Sequence, residues 1–220
     1  CSTPGSTCAN LTSSGTAMDG ARFKDMIAVG ARYSGNVGPV NVLAYGVWSY
    51  AGHVNYTGTA AAARTLVAAP TASTWSGTFD NLNFASTGVA LTWEGFTLGF
   101  NYIGGAVNGR MAARPTGGST MNAFLVGAQY AVPGIPLMVG AAYESIDSQA
   151  AVAMTGISQR REYAIDVGGS YTLAPGMILF ADYLYQNRKQ SGWNFISSAA
   201  GTGSNQVQGQ GFIGGTQMTW

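Results

Sequence analysis

Three features of the sequence predict an all-β chain whose antiparallel strands cross a membrane as part of a β-barrel. Charge is scarce, segments of about ten residues alternate with period two, and short turns alternate with long loops. Charged residues make up 9% of the 220 residues and hydrophobic residues 46%, where soluble domains carry roughly 25% charged residues. A chain so poor in charge does not cover a water-facing surface on all sides. Eleven Tyr, nine Phe and five Trp with a net charge of +1 exclude disorder, and that balance offers nothing to a nucleic acid. The 32 glycines and frequent turn residues read as all-β.

A strand places successive side chains on opposite faces. In the first strand, Ile27, Val29, Ala31 and Tyr33 alternate with Ala28, Gly30 and Arg32. Residues 40–50 are strand-like with both faces apolar. Val89, Leu91 and Trp93 alternate with Gly88, Ala90 and Thr92, and Phe96, Leu98, Phe100 and Tyr102 with Thr97, Gly99 and Asn101. Phe124, Val126, Ala128 and Tyr130 form the next apolar face, then Leu137, Val139, Ala141 and Tyr143. From 162 to 173, Tyr163, Ile165, Val167 and Tyr171 oppose Glu162, Ala164, Asp166 and Ser170. From 177 the second face is mixed, and Asp182 decides it, because a carboxylate does not face lipid. A last strand covers about 206–220. Nine strands of ~10 residues suit a tilted crossing of a bilayer. A soluble sandwich would instead charge its outer face, and a solenoid would repeat at a fixed length.

Residues 124–143 carry no charge over 20 positions, the length of a spanning helix. Pro133, Gly134 and Pro136 interrupt that stretch and predict a turn between two strands instead. Turns at 35–38, 94–95, 131–135 and 172–176 are short, whereas the connections 51–83, 104–120, 147–160 and 187–205 are long and polar. Short turns at one end and long loops at the other are the pattern of bacterial outer-membrane barrels. Trp48, Trp93, Tyr102, Tyr130, Tyr143, Tyr171 and Tyr183 fall near strand ends and are expected to form lipid-interface girdles.

The segments GVALTWEGFTLGFNYIGG (88–105), FLVGAQYAVPGIPLMVGAAYE (124–144) and EYAIDVGGSYTLAPGMILFADYLYQ (162–186) resemble the C-terminal half of Gram-negative porins, those of alphaproteobacterial type most of all. The ending GFIGGTQMTW resembles their terminal strand, with Trp220 in place of the usual Phe, Met218 in alternation and Phe212 upstream. The resemblance spans about residues 21–220, with 1–20 as an extracellular loop or N-terminal extension. It implies a 16-stranded barrel, a homotrimer, recognition of Phe212, Met218 and Trp220 by the barrel-assembly machinery, and contact with outer-membrane lipid and lipopolysaccharide. The implied function is a water-filled channel for passive diffusion of small polar solutes and ions, with no enzymatic activity. A structural or adhesive small barrel with a plugged lumen is the alternative. Closed single-chain barrels have an even strand number. Nine strands therefore predict further N-terminal strands outside this sequence, or a small barrel with one strand miscounted.

No residues assemble into a catalytic, metal or cofactor pattern. His53 is the single histidine and has no nucleophile partner. Cys1 and Cys8 are spaced to close a small disulfide loop in an oxidising compartment. The charges of the polar face are the candidate site. Arg22, Lys24 and Arg32 lie on the first strand, and Glu144, Glu162, Asp166 and Asp182 on strands six to eight. On opposite walls of a pore they would set up a transverse field. Arg160, Arg161, Arg188 and Lys189 are expected at the outer rim, facing lipopolysaccharide phosphates or bulk water.

Overall fold

The computed structural model describes residues 23–53, 80–107, 114, 118–148, 159–197 and 199–219. The strands are β1 (Phe23–Val37), β2 (Val40–His53), β3 (Leu82–Trp93), β4 (Phe96–Gly105), β5 (Met121–Ala131), β6 (Leu137–Ser148), β7 (Arg160–Ala174) and β8 (Met177–Lys189). A short hairpin of β9 (Trp193–Asn194) and β10 (Ala199–Ala200) follows, then β11 (Gln206–Met218). Nine long strands form one antiparallel sheet in the order β1-β2-β3-β4-β5-β6-β7-β8-β11, with β1 and β11 at its edges. Nine strands were expected. The β9–β10 hairpin was not, because two-residue strands are too short to alternate visibly.

Local chemistry sets the register. At Glu94-Gly95 both turn residues have positive φ, 46° and 82°. That is the type I′ geometry, whose twist matches the strands it joins. Pro175-Gly176 turns β7 into β8 with Gly176 at φ 80°, a position that bars most side chains. Residues 132–136 form a turn in place of a helix, as the paired prolines require. Among the described residues no helix is long and apolar enough to cross a membrane.

Strands of 10–15 residues at ~3.3 Å rise and ~40° tilt span ~25–38 Å, enough for the ~25 Å apolar band of an outer-membrane barrel. The sheet's convex face supplies such a band. Val29 (61% exposed), Phe100 (42%), Val139 (43%), Val167 (50%) and Phe212 (73%) all stand on it. Cross-strand ring contacts continue it through Phe124, Tyr143, Tyr163 and Tyr185, with centroids 5.8, 6.5 and 6.0 Å apart. An apolar patch running across nine strands is incompatible with water. Acyl chains, which need no hydrogen bonds from it, are the matching solvent.

Candidate functional site

The antiparallel register places opposed residues on a common face, so the concave face can be read row by row. One row at the loop end is Ala123, Ile146, Glu162, Arg188 and Val207. The next is Leu125, Glu144, Ala164, Gln186 and Gly209, and below it lie Gly127, Ala142, Asp166, Leu184 and Gly211. A fourth row holds Gln129, Gly140, Gly168, Asp182 and Ile213. Glu144, Asp166 and Asp182 thus descend one row and one strand at a time. Such diagonal neighbours stand ~7–8 Å apart. None of the three has an ion-pair partner among the described residues. With Tyr45, Asn101, Leu125, Gln129 and Phe180, Asp166 and Asp182 border an open hollow of about 710 Å³ along the concave wall.

Small residues make room for the larger side chains on this wall. The Tyr45 ring lies across Gly88, where an added Cβ would come within 2.5 Å of it. The Tyr45 hydroxyl accepts a hydrogen bond from Asn101 Nδ2 two strands away. Phe180 covers Gly215 in the same way, and the Asp182 carboxylate occupies the space over Gly168. These glycines alternate with aromatic or charged neighbours, so the wall is thin in some places and padded in others.

The predicted site residues are placed as follows. Arg32 lies on the concave phase opposite Tyr45, far across the sheet from Asp166 and Asp182. Lys24 was expected on the phase of Arg32, but the register breaks between Lys24 and Ile27, where Asp25 takes φ 51°. Beyond that break the Lys24 backbone pairs with Gly52. Arg22, Cys1, Cys8 and Trp220 lie outside the described residues, as do residues 1–20. Trp48, Trp93, Tyr102, Tyr130, Tyr143, Tyr171 and Tyr183 fall on the convex phase, as do Phe212 and Met218.

The basic rim divides in two. Arg188 holds Glu162 by a hydrogen bond of 3.0 Å from Nη2 and an ion-pair contact of 2.9 Å from Nε, and Arg160 stands 3.7 Å from the same carboxylate. Both arginines belong to the concave mouth and not to the lipid side. Arg161 and Lys189 keep the convex phase, with Arg161 3.6 Å from Asp147.

The concave face is not polar throughout, and the loop end of β2–β6 departs from the rest. There Ala51, Leu82, Val107 and Met121 form a buried apolar cluster, packed against Phe84, Ile103, Ala123 and Ile146. Val107 comes from the connection after β4 and is fully buried. It folds inward because Ala106 donates to the Asn83 carbonyl at 2.6 Å and Val107 donates to that of Gly105 at 2.9 Å. Arg114 holds the same connection to the β2–β3 loop by donating to Asp80 at 2.9 Å. The sequence signal was present in the apolar concave-phase residues Leu82, Phe84 and Met121, which a wholly wet wall would not need.

An apolar convex band, a charge-bearing concave trough and long loops at one end define an outer-membrane β-barrel wall. The sequence model of a Gram-negative porin family matches residues 6–191, and the chain belongs to that family. Its place is therefore the bacterial outer membrane. No curated protein sequence matches it. Among solved structures, in-vitro folded OmpT, an outer membrane protein of Vibrio cholerae, is similar with a TM-score of 0.51 and 16% identity, over 91% of this chain and 59% of that one. Outer-membrane expressed OmpT of Vibrio cholerae is 16% identical with a TM-score of 0.49, over 89% and 57% of the two chains. The trimer form of in-vitro folded OmpT of Vibrio cholerae gives 16% and 0.47, over 87% and 56%. The likeness at 0.51 is one of fold alone. The chain spans less than three fifths of the solved structures it matches.

Proposed function

We propose that the concave face is one wall of a water-filled outer-membrane channel, through which small polar solutes and ions diffuse passively and without chemical conversion. The observation that carries this reading is the sidedness of the sheet. Asp166 and Asp182 line a trough on one face, with Glu144 one row above them, while the other face is apolar. Ionised groups stay on a membrane wall only where water reaches them.

Among the described residues, Glu144, Asp166 and Asp182 have no ion-pair partner, and Arg32 lies on the same face far across the sheet. The channel therefore prefers cations, and the field between the two sides orders dipolar solutes. Zero-current potentials across a planar bilayer under a KCl gradient provide the test. Asp166→Asn with Asp182→Asn lowers the cation/anion permeability ratio, and Arg32→Gln raises it. A ratio unmoved by either change removes the charges from the pore.

The Ala51–Leu82–Val107–Met121 cluster favours a second reading, a barrel whose mouth is packed shut and whose role is structural. A protein that inserts but passes no current supports that reading and excludes the first. On the channel reading the wider properties of porins follow as proposals. Three copies associate, Arg161 and Lys189 on the convex rim meet lipopolysaccharide phosphates, and the last strand with Phe212, Met218 and Trp220 is read during barrel assembly.

A further inference from the structure

A second hollow of about 360 Å³ lies at the loop end of β6–β8 and β11, beside the β9–β10 hairpin. Small-molecule sites begin at roughly 300 Å³. We propose that it is a docking subsite for a neutral ring-shaped polyol, a small sugar, on its way into the channel; the inference rests on the channel reading.

The hairpin holds Phe195 firmly at the edge of this hollow. Gln190 donates to the Asn205 carbonyl at 2.9 Å, Phe195 to that of Ser204 at 3.1 Å and Gly201 to that of Gly192 at 2.8 Å. Asn194 Oδ1 accepts from the amides of Ile196 and Ser197 at 2.9 and 3.1 Å, and Asn205 Nδ2 donates to the carbonyls of Trp193 and Gly201. The Arg160 guanidinium sits 5.5 Å from the Phe195 ring centre. An aromatic ring fixed in this way costs little further ordering when a ligand stacks on it.

The polar lining is the reason for a sugar. Glu144, Gln186 and the Glu162–Arg188 pair all border the hollow. Carboxylate, amide and guanidinium are planar groups that each offer two hydrogen-bonding atoms. Adjacent hydroxyls of a sugar ring both donate and accept, so they match such forks. The carbon-bound face of the same ring is apolar and suits Phe195, Ile146 and Val207. Charge here favours neither sign of ion over a neutral solute. Glu144 and Glu162 are offset by Arg160 and Arg188, so the mouth carries no net charge from these four groups.

The experiment is single-channel recording on the full-length protein in planar bilayers, with maltose added on the loop side and choline as the cationic comparison. Maltose interrupts the ion current in a concentration-dependent way. Phe195→Ala weakens this block at least tenfold, a loss of ~1.4 kcal/mol, while Phe195→Trp retains it. Channels that conduct without maltose block, that are blocked equally in Phe195→Ala, or that respond to choline in place of maltose overturn the subsite. Absence of current overturns the channel reading instead. Calorimetric titration of maltose into the purified protein then decides the subsite: binding weakened by Phe195→Ala supports it, and no binding overturns it.

Discussion

Replacing Val167 by Arg tests the assignment of the two faces most directly. Val167 sits midway along β7, seven residues from either end, on the convex phase and 50% exposed. If that face meets acyl chains, the guanidinium enters the depth where a charge costs most, ~2–4 kcal/mol at the midplane of an outer-membrane barrel. The folding equilibrium then falls roughly 30- to 700-fold. The matched control is Leu184→Arg. Leu184 is also apolar and mid-strand, but its register opposes Asp166 on the concave phase. There the new cation faces water and a carboxylate, and the cost stays under ~1 kcal/mol. Urea unfolding from phospholipid vesicles, followed by tryptophan fluorescence, measures both. Equal costs at the two positions, or a larger one at Leu184, would refute the sidedness on which the channel reading depends.

Two further outcomes follow from local geometry. Val107→Ala removes two methyl groups from a fully buried side chain and lowers unfolding free energy by about 2 kcal/mol; an unchanged value would mean the inward fold of this connection carries no packing. Glu94→Asn raises stability by roughly 0.5 kcal/mol, because Glu94 is held at φ 46°, a conformation Asn adopts more readily. A shift of the urea midpoint to lower concentration in that variant would argue against the type I′ turn.

The strands were legible because lipid and water impose a two-residue period, and Tyr163 to Tyr171 set against Glu162 to Ser170 display it cleanly. The turns were legible because Glu94-Gly95, Pro133-Gly134 and Pro175-Gly176 carry their own backbone preferences. The register break between Lys24 and Ile27 was not, since one inserted residue leaves composition unchanged. The division of the rim arginines between the two faces was not legible for a related reason. Arg160 and Arg161 are neighbours in sequence, and only the register shows that one turns to Glu162 and the other to Asp147. The apolar cluster around Val107 joins residues from several strands and a connection, so no window of sequence contains it.

The two halves of the loop end differ in a way that bears on how a solute would enter. Over β2–β6 the mouth is lined by Ala51, Leu82, Met121 and Val107, which form a buried apolar cluster. Over β6–β8 and β11 it is lined by Glu144, Glu162, Gln186 and Arg188 around open space. A hydrated solute loses water on the first side without gaining hydrogen bonds, and keeps or replaces them on the second. On the channel reading, entry would thereby be directed to the polar half. From there the diagonal of Glu144, Asp166 and Asp182 leads down the wall, each carboxylate ~7–8 Å from the next. That spacing lets a cation or a hydroxyl-rich solute exchange partners one at a time, with no step at which it is wholly unsolvated. On the channel reading, apolar packing over one half of the mouth would do more than narrow it, because it would commit traffic to the side of the wall that carries the charges.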